Sequence, residues 1–148
     1  MFDSGHLLYC KNFQFNNGNQ PKDKYFIVLK RAANKIIIGS LPTRTNKIPS
    51  FIDIEHGCIN KNDRCFNCYL FEAKRPICIN GFSFDLPTFV YGDEIETYDI
   101  ETVESNYILN KTYKVEGILT TDEYSALINC ITQSDSVKNK IRNILREG

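Results

Sequence analysis

The chain has 148 residues, 42% hydrophobic and 12% aromatic, with eight Tyr, ten Phe and no Trp, a length that suits one domain with a self-sufficient core. Eighteen basic residues balance eighteen acidic ones, which excludes a histone-like, non-specific nucleic-acid binder but leaves room for a local basic groove. No apolar run approaches the ~18 residues of a membrane span, and Met1-Phe2-Asp3-Ser4-Gly5 has no secretory-signal character, so the expectation is a soluble, cytoplasmic protein with no membrane partner.

Residues 6–10 read as an opening strand, and 16–21 as a long turn rich in residues that tolerate unusual backbone angles. Two apolar, β-branched runs follow, at 25–29 and 36–38, on either side of a short polar turn. They predict a hairpin of buried strands. Lys22, Lys24, Thr43, Arg44 and Thr45 edge that hairpin, and these cationic and hydroxyl side chains are of the kind that handle phosphate. Residues 51–55 alternate, 65–71 predict another strand, and Asn80-Gly81 is a strong turn signal between short extended pieces at 82–84 and 88–91. The β pattern continues over 98–103 and closes at 113–116.

The C-terminal quarter changes period. Thr120 and Glu123 stand in a capping-box arrangement, and Tyr124, Leu127, Ile128 and Ile131 recur on one helical face. Val137, Ile141, Ile144 and Leu145 mark a second amphipathic helix. Strands first and helices last predict an α+β fold in a single domain spanning 1–148, with a small β-barrel over 1–118 and a helical tail over 119–148.

Six cysteines are present, and in a cytosol reduced thiols are the default. Cys58, Cys65, Cys68 and Cys78 form a central group containing one Cys-x-x-Cys pair. A structural zinc site, a redox pair or plain buried thiols would each account for it. Residues 65 and 68 lie in an apparent strand, where positions three apart face opposite sides, which opposes joint ligation. Cys10 and Cys130 lie on apolar faces and read as core.

The layout resembles the PemK/MazF family of toxin endoribonucleases. Gly5-His6-Leu7-Leu8-Tyr9 stands at that family's first strand, and Lys24-Tyr25-Phe26-Ile27-Val28-Leu29 where it has Arg-Pro and an apolar strand. Ile36-Ile37-Ile38-Gly39-Ser40-Leu41-Pro42-Thr43 parallels its next strand, and Gly117-Ile118-Leu119-Thr120-Thr121-Asp122-Glu123 the lead into its last helix. The resemblance implies a small SH3-like β-barrel followed by one or two C-terminal α-helices. It also implies a homodimer that cleaves single-stranded RNA without a metal or other cofactor, and a cognate antitoxin protein as partner.

Such cleavage must deprotonate a ribose hydroxyl, stabilise charge on the phosphate and protonate the leaving oxygen. Arg44 is the candidate for the electrostatic role, its planar fork matching phosphate. By resemblance Lys24 stands near the family's arginine and Thr43 near its hydroxyl residue, giving Lys24, Thr43 and Arg44 as the catalytic set. Lys22, Thr45 and His56 are candidates for RNA contact, and His56 is the more plausible of two histidines for acid–base work. The bland reading of these residues is a polar loop with solvated cations, and the alternative function is a non-catalytic protein- or nucleic-acid-binding barrel domain, with or without a stabilising zinc. Phe82, Phe84, Phe89 and Tyr91 either stack on unpaired bases or fill the core. Lys138, Lys140, Arg142 and Arg146 are a solvated helix face or a contact for an acidic partner.

Overall fold

The computed structural model describes residues 3–13, 22–43, 48, 54–61, 66–105 and 113–147. Its strands are β1 (His6–Phe13), β2 (Lys22–Ala32), β3 (Lys35–Ser40), β4 (Gly57–Lys61), β5 (Phe66–Phe71), β6 (Thr88–Tyr91), β7 (Ile95–Asp99) and β8 (Tyr113–Ile118). The helices are α1 (Ile100–Val103), α2 (Thr121–Thr132) and α3 (Asn139–Arg146). The class is α+β, as the order of periodicities predicts.

The strands form two antiparallel sheets, one ordered β7-β3-β2-β1-β8 and one ordered β4-β5-β6. The expected closed barrel is corrected: among the described residues β7 and β8 end the larger sheet as separate edges, and β4 and β6 end the smaller one. The β2–β3 hairpin forms where the apolar runs place it. Its two-residue turn holds Ala33 at φ 53°, the left-handed region that an Ala side chain disfavours.

Alternation along β2 sets both faces of the larger sheet. Ile27 and Leu29 point to an inner core with Leu7, Tyr69, Phe71, Val90, Leu127 and Ile131, and the half-buried Tyr25 packs against it. Phe26 and Val28 point the other way, with Leu8, Cys10, Ile36, Ile38, Ile100 and Val103. Three expectations change. Residues 98–103 do not continue as one strand, because β7 ends at Asp99 and α1 buries Ile100 and Val103. Residues 82–84 run outside any strand, and β4 was not expected. Of the alternating stretch 51–55, residues 51–53 lie outside the described residues, and 54–55 are not in a strand.

Thr120 caps α2 by accepting a hydrogen bond from the Glu123 N–H at 3.3 Å. The box is only half formed, since the Glu123 carboxylate turns inward to His56 and the Thr120 N–H donates to the Ile77 carbonyl. α3 buries Ile141 and Leu145 and ends against β2, where Lys30 Nζ donates to the carbonyls of Ile144, at 2.8 Å, and Glu147. A cation there complements the negative end of the helix dipole. No helix among the described residues is long and apolar enough to cross a membrane.

Candidate functional site

At the open end of the inner face, Tyr9 and Tyr25 are direct cross-strand partners, their rings 4.9 Å apart. Opposite them runs the loop between β5 and β6. Tyr25 meets Phe84 edge-on at 5.5 Å and Phe82 at 6.3 Å, and Phe82 and Phe84 meet edge-on at 5.2 Å. These rings border a cleft of about 250 Å³ lined by Tyr25, Leu41, Thr43, Phe84, Asp85 and Leu86 among others. Tyr9, Tyr25 and Phe82 are half-buried, whereas Leu86 is 61% exposed.

The loop holds its shape through backbone bonds. The N–H of Lys74 donates to the Phe84 carbonyl at 2.6 Å, and that of Ile77 to the Phe82 carbonyl at 3.0 Å. The Asn80-Gly81 turn, with Gly81 at φ 85°, directs Phe82 back towards the sheet. Asn80 ties it there, its side-chain amide donating to the Glu116 carbonyl at 2.9 Å. Gly117 permits this approach: a Cβ at that position would meet Cys78 and Asn80 side-chain atoms at 2.9 Å.

Beyond Tyr9, at the edge of the same sheet, lies β8. Lys114 is directly opposite Tyr9, and the register slips so that Leu8 pairs with Val115 and Leu7 with Gly117. Glu116 is therefore the extra residue of a β-bulge, a device that re-aims a side chain. Its carboxylate is only 15% exposed and lies 3.2 Å from Lys114 Nζ. Burial, and then the nearby Glu116 carboxylate, raise the Tyr25 phenol above its ordinary value. Tyr25 therefore remains a neutral hydroxyl at physiological pH.

Of the residues expected to act on RNA, Thr43 lies at this cleft. Lys24 pairs with Cys10 and shares the outward parity of Phe26 and Val28, so the sheet separates it from Thr43. Lys22 opens β2 opposite Phe13. Arg44 and Thr45 lie outside the described residues.

His56 is held within the protein, 10% exposed, just before β4. Its Nδ1 accepts the Glu72 N–H at 3.1 Å, so a neutral ring carries its proton on Nε2, which donates to Glu123 Oε1 at 2.6 Å. Tyr69 OH donates to the same oxygen at 3.0 Å. Burial, then Glu123, push the Tyr69 phenol above its ordinary value. With both ring nitrogens engaged, His56 pins the approach to β4 onto α2 and has no lone pair to offer a substrate.

The cysteine readings are also corrected. Cys58 and Cys130 form a disulfide, with Cα atoms 5.4 Å apart. Neither the central thiol group containing Cys58 nor a free core Cys130 survives. Sequence spacing cannot show that β4 lies beside α2, which is what brings these two together. Cys68 packs on the outer side of the smaller sheet and Cys78 in the inner core, so those two thiols do not converge. Cys65 lies outside the described residues.

Phe89 and Tyr91 are core, stacked at 5.5 Å, and Phe84 is buried at the cleft floor. Three of the four basic positions at the last helix are engaged: Lys138 with Glu96, Arg142 with Asp135, and Arg146 with the Thr132 carbonyl. The cleft residues Tyr25 and Asp85, and Tyr9 and Glu116 beside the cleft, were not among the residues expected to act. Tyr9 and Tyr25 carried a usable signal, since antiparallel pairing of their strands sets like parities on one face. No protein-family model matches the chain, and no curated protein matches it either.

Proposed function

We propose that this chain is a non-catalytic binding module, and that an extended segment of a protein partner lies in the cleft between Tyr25 and residues 82–86. The observation that carries this reading is the group of partly exposed rings of Tyr9, Tyr25 and Phe82, held by a loop whose backbone bonds are already made. Aromatic-lined grooves of this kind take up extended peptides at low entropic cost. The separation of Lys24 from Thr43 and the occupied nitrogens of His56 favour binding over cleavage. The Cys58–Cys130 bond also suits a compartment less reducing than the cytosol.

The second reading is a PemK/MazF-like, SH3-like ribonuclease that acts on single-stranded RNA in the cytoplasm as a homodimer controlled by an antitoxin. It is carried by Thr43 at the cleft mouth, with Arg44 next in sequence. The test exposes the purified chain and its Tyr25→Ala variant to a displayed library of extended peptides and, separately, to single-stranded RNA. Enrichment of peptides by the wild type alone, with the RNA left intact, is the expected result. RNA cleavage that disappears in Thr43→Val or Arg44→Ala, without peptide enrichment, overturns the binding reading in favour of the ribonuclease.

A further inference from the structure

We infer that the segment bound in the cleft carries a lysine or arginine, which is seated on the Tyr9–Tyr25 pair between Asp85 and Glu116. The inference rests on the binding-module reading and names the chemistry of its partner. Asp85 lines one wall of the cleft. Glu116 lies at the other end of the row, its carboxylate 3.2 Å from Lys114, the direct cross-strand partner of Tyr9, which in turn pairs with Tyr25. A cation between them gains both carboxylates and the electron-rich faces of two tyrosines.

Lys114 marks the position of such a guest. It pairs with Glu116 at 3.2 Å, yet its own side chain is 74% exposed. Because the ammonium end of the pair stays in water, the pair adds little stability. An incoming cation replaces it at small cost, and the Lys114 ammonium swings out into solvent. The bulge that makes Glu116 the extra residue of β8 turns its carboxylate to this position.

The rest of the cleft suits the body of an extended segment. Leu41, Phe84 and the exposed Leu86 offer an apolar track beside the rings. Proline-containing chains present flat apolar faces to such a track without losing much conformational freedom. A nucleic-acid strand finds the same rings but would bring its phosphates against Asp85 and Glu116, which repel them.

The test is a titration of the isotopically labelled full chain, followed by NMR. Three short peptides are used, each with proline at every third position and two variable sites: arginine, the neutral isostere citrulline, or glutamate. An oligouridylate of matching length is the fourth ligand. The arginine peptide is expected to shift the Tyr25, Phe82 and Asp85 resonances and to bind about fivefold tighter than the citrulline peptide. Asp85→Asn and Glu116→Gln each reduce that preference, while Tyr25→Ala removes binding of both peptides. Equal affinity for the arginine and citrulline peptides overturns the inference and leaves the binding-module reading standing. Cleft shifts with oligouridylate alone, or with none of the four ligands, overturn both.

Discussion

Replacing Cys58 by serine opens the bond to Cys130, which joins β4 to α2 across 72 residues of sequence. Closing a loop of that length removes chain entropy from the unfolded state worth ~4 kcal/mol. Cys58 is exposed, so the new hydroxyl is hydrated and adds no burial penalty, while Cys130 stays in the core as a small apolar thiol. Loop closure is the main effect, and structure retained in the unfolded chain trims it to about 2–4 kcal/mol. For a chain of this size the melting temperature falls by about 6–12 °C. Urea denaturation with and without a dithiol measures this directly. Oxidised wild type should lose the full amount on reduction, and Cys58→Ser should be insensitive to the reductant. The urea slope should also steepen, because the unlinked chain exposes more surface when unfolded. Equal midpoints for oxidised wild type and Cys58→Ser refute the reasoning. So does alkylation mass spectrometry showing both sulfurs already free in the oxidised sample.

Gly92→Ala puts a Cβ 2.3 Å from Asn67 Oδ1 and 3.0 Å from Val137 Cγ2; the forced repacking should cost about 1–3 kcal/mol in the same urea assay. Thr120→Ala removes the cap on the Glu123 N–H and should cost about 1 kcal/mol. Ala33→Gly relieves a left-handed residue in the β2–β3 turn and should raise stability by about 0.5–1 kcal/mol, seen as a higher melting temperature. Burial pushes the Cys10 and Cys68 thiols up to about 12 and the Cys78 thiol to about 11, from an ordinary 9.0. The unfolded chain gives up these protons first, so their contribution is complete below pH 9.0 and is lost as pH rises towards 11 and 12. Urea midpoints should therefore decline through that window, and less steeply in Cys10→Ala.

Local signals were the legible part of this fold. The β2–β3 hairpin, the Asn80-Gly81 turn, the Thr120 cap and the apolar stripes of α2 and α3 all stand where neighbouring residues dictate them. Each depends on interactions within a few positions of sequence. The division into two sheets depends instead on which strand edges meet, and alternation within a strand says nothing about its neighbour. β4 escaped notice because Gly57, Asn60 and Lys61 dilute its pattern, though its pairing with β5 and its bond to α2 hold it in place. The candidate site divides in the same way. Thr43 was found from its chemistry, while Tyr9 and Tyr25 had to be paired across strands, and Glu116 needed a register slip that no spacing rule shows. His56 had suitable chemistry for a functional role, and its burial against Glu123 instead makes it an internal strut.

The pairing of β1 with β8 has a consequence for synthesis. These neighbours in the larger sheet are separated by roughly a hundred residues of chain, so one edge of the sheet is completed by a contact that forms late. While a ribosome makes the intervening residues, β1 and the β2–β3 hairpin can emerge and associate, but the far edge of β1 still lacks its hydrogen-bonding partner. That edge becomes protected only after β8 leaves the exit tunnel. Truncation before residue 113 should therefore yield a nascent chain prone to association through β1, and release of the full chain should end that exposure.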